Sequence, residues 1–135
     1  AVMQLLYVAN RYERKGDIER WLDGELILVC DRYVASSVSY VEAQGLEPAW
    51  LVEMQKFLPA PTLTIMLDIA PETAVQRKSV DRDRYERDLA MQGRVRESYR
   101  RQAAAQDWLV LDGERSKEAI AADVLSAVTS RLLPL

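Results

Sequence analysis

Residues 26 to 33 read Leu-Ile-Leu-Val-Cys-Asp-Arg-Tyr, five apolar residues followed at once by an acid, a base and an aromatic ring. An unbroken apolar run of this length is typical of a parallel strand that is covered on both faces. Open sheets of such strands bind ligands at the carboxyl ends of the strands, so the pattern predicts that Asp31 and Arg32 belong to a binding site. The alternative is a surface ion pair at the end of a strand, although neighbouring strand residues point to opposite sides.

Strand and helix patterns alternate along the rest of the chain, which predicts an α/β fold with a parallel sheet and helices on both faces. Gly16 and Asp17 indicate a stop and a new helix cap, and Gly45 indicates a turn. Further strands are predicted over residues 63–68 and 108–111. Helices are predicted over residues 1–15, 18–22, 34–44, 48–58 and 71–78, along a segment that ends near Arg101, and after a cap at Ser116.

Composition excludes several classes of protein. The net charge of −3 and a pI near 5.1 argue against a nucleic-acid partner, which needs a basic face. Without histidine the common triads and zinc sites are ruled out, and the single cysteine, Cys30, is predicted to be a buried apolar residue of the first strand. No apolar run approaches the length of a membrane span and no signal peptide is visible, so we expect a cytoplasmic protein without a membrane partner.

Five basic residues lie between residues 77 and 87 of this otherwise acidic chain. Such a cluster favours a polyphosphate ligand. The alternative is a solvated helix end whose cations pair with Asp81, Asp83 and Glu86.

Four segments resemble the thymidylate kinases, which are nucleoside-monophosphate kinases with a P-loop NTPase fold, in both order and spacing. They are Leu5-Leu-Tyr-Val-Ala-Asn-Arg11, Asp31-Arg-Tyr-Val-Ala-Ser-Ser37, Pro61-Thr-Leu-Thr-Ile-Met-Leu-Asp68 and Asp83-Arg-Tyr-Glu86.

One feature of that family is absent from the chain. The family begins with a strand and a phosphate loop of the pattern G-x-x-x-x-G-K-[ST], whereas the five glycines here are too far apart to form one. The chain therefore resembles roughly the last two thirds of such an enzyme. We expect residues 1–135 to be a single domain, with a lid at about residues 77–87, that lacks the first strand and the phosphate loop.

The resemblance implies phosphoryl transfer from ATP to dTMP with Mg²⁺, a reaction that asks the protein for positioning and charge neutralisation. By resemblance, Tyr7 stacks on thymine and Arg11 contacts the monophosphate. Their spacing of four residues puts both on one face of a helix, where the aromatic ring and the cation could meet a base and its phosphate. The alternative is a core tyrosine beside a solvated arginine.

The resemblance also assigns roles after the first strand. Arg32 offers a planar fork for the monophosphate and the transferring group, and Asp31 would bind Mg²⁺ through water or orient a ligand. Ser36 and Ser37 could offer hydroxyls to the base or phosphate, with helix capping as the alternative. Tyr40 matches the position against the sugar that disfavours a 2′-hydroxyl, with ordinary packing as the alternative.

In the lid, the resemblance implies that Arg82 and Arg84 stabilise the charge on the transferring phosphoryl group. Asp83, Tyr85 and Glu86 would close over the acceptor. Arg77 and Arg115 match positions that flank adenine, since arginine faces stack well on purines, although each is also a plausible surface residue.

Two other functions remain open. The chain could be a non-catalytic nucleotide-binding or interaction module descended from a kinase, or a deoxynucleoside kinase with an uncharged acceptor. Arg11 and Arg32 together argue against the second. The apolar helix near the start of the chain predicts a homodimer.

Overall fold

A computed structural model describes residues 2–77 and 85–133, with only the backbone described for residues 85–88. The chain divides into two compact units, Ala1–Ala60 and Pro61–Leu135.

The first unit consists of helices and connecting segments. Helix α1 spans Val2–Asp23, α2 spans Val34–Ala43 and α3 spans Ala49–Gln55. A small core joins one apolar residue from each helix, namely Val8, Val41 and Leu51, with Tyr12 and Trp50 packed against it. The turn predicted at Gly45 is confirmed, because this glycine has a φ of 76° that other residues adopt at a cost.

Helix α1 corrects the prediction of a break at Gly16 and Asp17. The helix runs through both residues, and the Asp17 carboxylate pairs with Arg14 and Arg20 on the same helix instead of capping a new one. A glycine inside a helix costs only about 1 kcal/mol relative to alanine, which these neighbouring contacts can offset.

The predicted strand at Leu26–Cys30 is also wrong. These residues belong to no sheet within the described part of the chain, and Val29 is 91% exposed. Cys30 is exposed as well, not buried as expected. An apolar run becomes a strand only when neighbouring strands bond its N–H and C=O groups, and the described strands pair with each other instead.

Helix α3 confirms part of its predicted buried face. Leu51 is fully buried and Leu58 nearly so, whereas Met54 and Phe57 are 44% and 66% exposed. The helix ends at Gln55, so Phe57 no longer follows the helical period that would have directed it inward.

The second unit contains the parallel sheet. Strand β1 spans Ile65–Asp68 and pairs in parallel with β2, Leu109–Asp112, with Asp68 opposite Asp112 at the carboxyl end. Helices α4, Pro71–Arg77, and α5, Tyr85–Gln106, lie between the strands in sequence, and α6, Lys117–Leu132, follows them. Helix α5 contacts β1, and α6 contacts β2.

Several predictions for this unit are confirmed. The strands are parallel, as the βαβ alternation predicts. The Ser116 hydroxyl caps α6 by accepting a hydrogen bond from the Ala119 N–H at 3.2 Å. Of the described helices, none combines the length and apolar character needed to cross a membrane.

Candidate functional site

In the first unit, the Arg11 side chain is held by oxygens from two helices and the segment before α2. Its Nη1 donates to the Ser37 hydroxyl at 2.8 Å and to the Gln55 amide oxygen at 2.6 Å, and its Nη2 donates to the Tyr33 carbonyl at 2.9 Å. The guanidinium carbon lies 5.7 Å from the centre of the Tyr33 ring. We call Arg11, Tyr33, Ser37 and Gln55 the Arg11 cluster.

The acceptors in this cluster are neutral. A hydroxyl, an amide oxygen and a peptide carbonyl orient the guanidinium, and these three groups carry no formal charge that would neutralise it. The cluster therefore presents a fixed cation on α1, and a fixed cation suits an anionic or carbonyl-bearing ligand.

Tyr7 lies one turn before Arg11 on α1 and is 49% exposed. This exposure argues against the alternative of a core tyrosine. An accessible aromatic ring one turn from an oriented cation suits a ligand that carries both a flat base and an anionic group.

Arg32 and Tyr40, which the sequence predicts to share a site, are in contact. Arg32 Nη1 donates to the Tyr40 hydroxyl at 3.3 Å, and its guanidinium carbon lies 5.5 Å from the centre of the Tyr40 ring. The Arg32 backbone has a φ of 66°, in the left-handed region that a residue with a side chain occupies only at a cost. Strained backbone of this kind is concentrated at functional sites.

The two serines do not cap α2. Tyr33 is the N-cap residue of that helix, and its side chain makes no capping hydrogen bond. Ser37 is 1% exposed and its hydroxyl accepts from Arg11, whereas Ser36 is 7% exposed. Helix capping therefore does not explain either residue.

Asp31 is exposed and follows directly on Cys30 in the connection to α2. In the parts of the chain that the structure describes, no three acidic, histidine or cysteine side chains gather closely enough to hold a metal ion. Mg²⁺ in kinases is commonly held by one or two carboxylates together with phosphate oxygens and water. A single accessible carboxylate at Asp31 fits that kind of site.

In the second unit, Arg77 at the end of α4 lies beside the loop that follows β2, and Arg115 lies within that loop. The Arg77 guanidinium donates to the carbonyls of Gly113, Glu114 and Arg115 at 2.8, 3.1 and 3.4 Å. These bonds lie in the plane of the guanidinium and fix it, which leaves stacking on its flat face compatible with them. Arg115 pairs with Asp123 at 2.5 Å.

A cavity of about 330 Å³ adjoins this loop. Its walls are mainly apolar, with Arg77 and Lys117 as the cations among its lining residues; the other residues are Leu67, Ile69, Gly113, Ile120, Ala121 and Val124. An apolar cavity with a few cations is typical of a site for a small anionic ligand that has an apolar portion.

The carboxyl end of β1 carries an ion-pair cluster that sequence reasoning missed. The Asp68 carboxylate accepts from Arg96 at 2.6 and 3.2 Å and from Arg100 at 2.7 and 3.1 Å, and its side chain is 14% exposed. The hydrogen bond from Arg96, followed by that from Arg100, lowers the pKa of Asp68 despite the opposing effect of burial. We call these three residues the Asp68 cluster.

Gln55 was also missed. It follows Leu51 by four residues and therefore lies on the same buried face of α3. A polar residue at a buried helical position needs a partner, and this was the signal that could have pointed to it.

Part of the predicted lid lies outside the described residues. These residues include Arg82, Asp83 and Arg84, and nothing is described for the side chains of Tyr85 and Glu86. The roles predicted for these five residues remain predictions.

Comparison with known proteins shows the family to which this sequence belongs. The family model for thymidylate kinase matches residues 1–124. The chain belongs to the thymidylate kinase family. The probable thymidylate kinase of Pyrobaculum calidifontis is 34% identical over 134 residues, which cover 97% of this chain and 69% of that protein.

Eukaryotic thymidylate kinases match as well. The enzyme of Dictyostelium discoideum is 30% identical, over 95% of this chain and 57% of its own length. That of Plasmodium falciparum is 30% identical, over 94% of this chain and 60% of its own length. The chain therefore spans about 57–69% of the length of these thymidylate kinase relatives.

Membership of the thymidylate kinase family confirms the resemblance and the α/β fold with a parallel sheet. The family match extends over both units, so the Arg11 cluster and the loop after β2 both belong to the thymidylate kinase portion of the chain.

Proposed function

We propose that the protein takes part in phosphoryl transfer from ATP to dTMP, which gives dTDP and ADP. An oxygen of the dTMP phosphate attacks the terminal phosphorus of ATP, and the bond from that phosphorus to the bridging oxygen of ADP breaks. The observation that carries this proposal is the oriented Arg11 guanidinium one turn from an exposed Tyr7, in a chain of the thymidylate kinase family.

The acceptor dTMP would bind to the first unit. Tyr7 stacks on thymine, Arg11 binds the monophosphate, and the buried Ser37 hydroxyl holds Arg11 in place. Ser36, next to Ser37 in α2, would offer a further hydroxyl to the base or phosphate of dTMP. The neutral acceptors of the Arg11 cluster support this assignment, because these three groups do not themselves neutralise the positive charge that a phosphate requires.

Arg32 and Tyr40 would complete the acceptor site. The Arg32 fork holds the monophosphate and the transferring group, while the Tyr40 ring lies against the sugar and disfavours a 2′-hydroxyl. Their mutual contact supports a shared role. A lysine at position 32 would keep the charge but lose the planar fork.

The donor ATP would use the second unit. Arg77, fixed in its plane by three carbonyls, and Arg115 would flank adenine at the loop after β2.

The charge on the transferring phosphates would be neutralised by further groups. Asp31 of the first unit would hold Mg²⁺, which when bound neutralises charge on these phosphates. Arg82 and Arg84 would stabilise that charge from the lid, and Asp83, Tyr85 and Glu86 would close over the acceptor.

Residues 1–135 do not contain the phosphate loop of this family. No G-x-x-x-x-G-K-[ST] pattern occurs among them, so the backbone nest and lysine that cradle the donor phosphates are not provided by this stretch. We propose that these 135 residues alone bind dTMP without turning it over.

The test is to titrate the purified 135-residue chain with dTMP, thymidine and the ribonucleotide of thymine, and to assay ADP formation from ATP with Mg²⁺ and dTMP. We expect dTMP to bind more tightly than thymidine. Tyr7→Ala should weaken dTMP by about 1–3 kcal/mol, the range for base stacking. Tyr40→Ala should raise the relative affinity of the ribonucleotide.

Three outcomes would contradict the proposal in different ways. Equal affinity for dTMP and thymidine would favour a deoxynucleoside kinase. Binding of dTMP without turnover, even in a version that includes a phosphate loop, would favour the non-catalytic module. Turnover by residues 1–135 alone would show that the missing pattern is not required.

We also propose a cytoplasmic homodimer. The support for the dimer is the exposed apolar surface of α1, where Val2, Met3 and Leu6 are 70%, 57% and 58% exposed. Light scattering should give twice the chain mass, and Leu6→Lys should reduce that mass to one chain.

A further inference from the structure

The Gln55 side chain is buried and both ends of its amide are used. It is 3% exposed, its oxygen accepts from Arg11 Nη1 at 2.6 Å, and its Nε2 donates to the Leu51 carbonyl at 3.2 Å. These bonds set the orientation of the amide, because the opposite orientation would place NH₂ against the Arg11 donors and oxygen against the carbonyl.

The Arg11 guanidinium is thereby bound from three parts of the first unit. Ser37 contributes from α2, the Tyr33 carbonyl from the residue before α2, and Gln55 from α3. Among these acceptors, Gln55 makes the shortest bond and lies furthest along the sequence, 44 residues from Arg11. It is thus the bond that ties the orientation of the arginine to α3.

Holding a long side chain in place before a ligand arrives has a consequence for binding. An unrestrained arginine loses rotamer freedom when it binds, and that loss reduces affinity. A guanidinium that hydrogen bonds within the protein already hold in place avoids most of that loss.

We propose that Gln55 is a positioning residue for Arg11 and thereby sets the affinity for the acceptor nucleotide without touching it. This inference rests on the proposed function, in which Arg11 contacts dTMP. Gln55 acts through its amide oxygen, and its effect requires the arginine to be present.

The experiment is a double-mutant cycle read out by dTMP titration up to millimolar concentration. Four forms of the chain are compared, namely the wild type, Gln55→Met, Arg11→Ala and the double variant. Methionine has a similar volume and removes both polar ends of the amide. Gln102→Met is the matched control, because Gln102 is a half-buried glutamine of the second unit whose amide donates to Ser98 at 3.4 Å.

Gln55→Met should weaken dTMP binding about tenfold when Arg11 is present, as expected for the loss of a hydrogen bond to a charged group. In the Arg11→Ala background the same substitution should change affinity by less than about twofold, because the residue it positions is gone. Gln102→Met should bind dTMP as the wild type does. A purely structural role would instead weaken binding equally in both backgrounds.

The results separate this inference from the proposed function. Wild-type binding of dTMP with an unchanged affinity in Gln55→Met, or with equal losses in the two backgrounds, would overturn the role of Gln55 alone. A wild-type chain that does not bind dTMP would overturn the proposed acceptor function and the positioning role together.

Discussion

In the first unit the Arg11 guanidinium is bound by a hydroxyl, an amide oxygen and a carbonyl, whereas in the second unit the Arg96 and Arg100 guanidiniums are bound by the Asp68 carboxylate. Both clusters use arginine forks with bonds as short as 2.6 Å. They differ in the charge of the acceptors described here, and on that ground we propose different roles for them.

The three neutral acceptors of the Arg11 cluster orient the guanidinium without themselves neutralising it, which suits ligand binding. A carboxylate both orients and neutralises, so the Asp68 cluster suits the attachment of α5 to the end of β1. The comparison teaches that the partner of an arginine indicates its function better than its exposure does. Arg11 is half-buried, while Arg100 is exposed and nevertheless pairs with the Asp68 carboxylate.

The largest expected effect tests the ligand-binding side of this comparison. Arg11→Ala should weaken dTMP binding by about 100-fold, close to 3 kcal/mol, because a charge-assisted phosphate contact is lost. Arg14→Ala is the matched control on the same helix, since Arg14 is exposed and pairs with Asp17. If Asp68→Asn weakened dTMP binding as much as Arg11→Ala does, the proposed division of roles would be wrong.

The next effect tests the structural side. Asp68→Asn should lower the free energy of unfolding by about 2 kcal/mol, since it removes a mostly buried carboxylate between two guanidiniums. Urea denaturation followed by circular dichroism measures this change. Asp123→Asn provides the control: its carboxylate pairs with Arg115 but is 45% exposed, so we expect a loss of about 0.5 kcal/mol.

The charge of Asp68 also predicts a response to acid. Its pKa is lowered in the folded chain, mainly by the hydrogen bond from Arg96. The stabilisation is therefore complete above the ordinary carboxyl pKa near 4 and disappears as the pH falls through the lowered pKa. Wild-type stability should decline more steeply than that of Asp68→Asn below about pH 4. Parallel curves for the two proteins would show that Asp68 does not contribute to the acid response.

The smallest effect is an increase in the free energy of unfolding, and it concerns Tyr33 of the Arg11 cluster. The Tyr33 hydroxyl is buried without a hydrogen-bond partner among the described residues, and burial raises the pKa of Tyr33. Tyr33→Phe should raise the free energy of unfolding by about 1 kcal/mol, because an unsatisfied polar group is removed. Binding of dTMP should not change, since the ring and the carbonyl that contact Arg11 remain.

Tyr12→Phe is the matched control for that substitution. The Tyr12 hydroxyl donates to the Met54 carbonyl at 2.6 Å, so its removal should lower stability by about 1 kcal/mol. A loss of stability in both variants would indicate that the Tyr33 hydroxyl is satisfied in solution.

The sequence alone determined the features that depend on local chemistry. The Ser116 cap, the turn at Gly45 and the presence of strands near 65–68 and 109–112 follow from side-chain preferences and hydrophobic periodicity, which are properties of neighbours in the chain. The four family segments likewise predicted the thymidylate kinase family, which the comparison confirms.

The tertiary structure decided which groups meet across long separations. The apolar run at Leu26–Cys30 looks like a buried strand, but burial and strand pairing depend on distant partners that a local pattern does not contain. Gln55 meets Arg11 across 44 residues, and Asp68 meets Arg96 across 28. Composition and spacing indicate that such polar residues need partners, but only the fold determines which neutral oxygens and which carboxylates come within hydrogen-bond distance of each arginine.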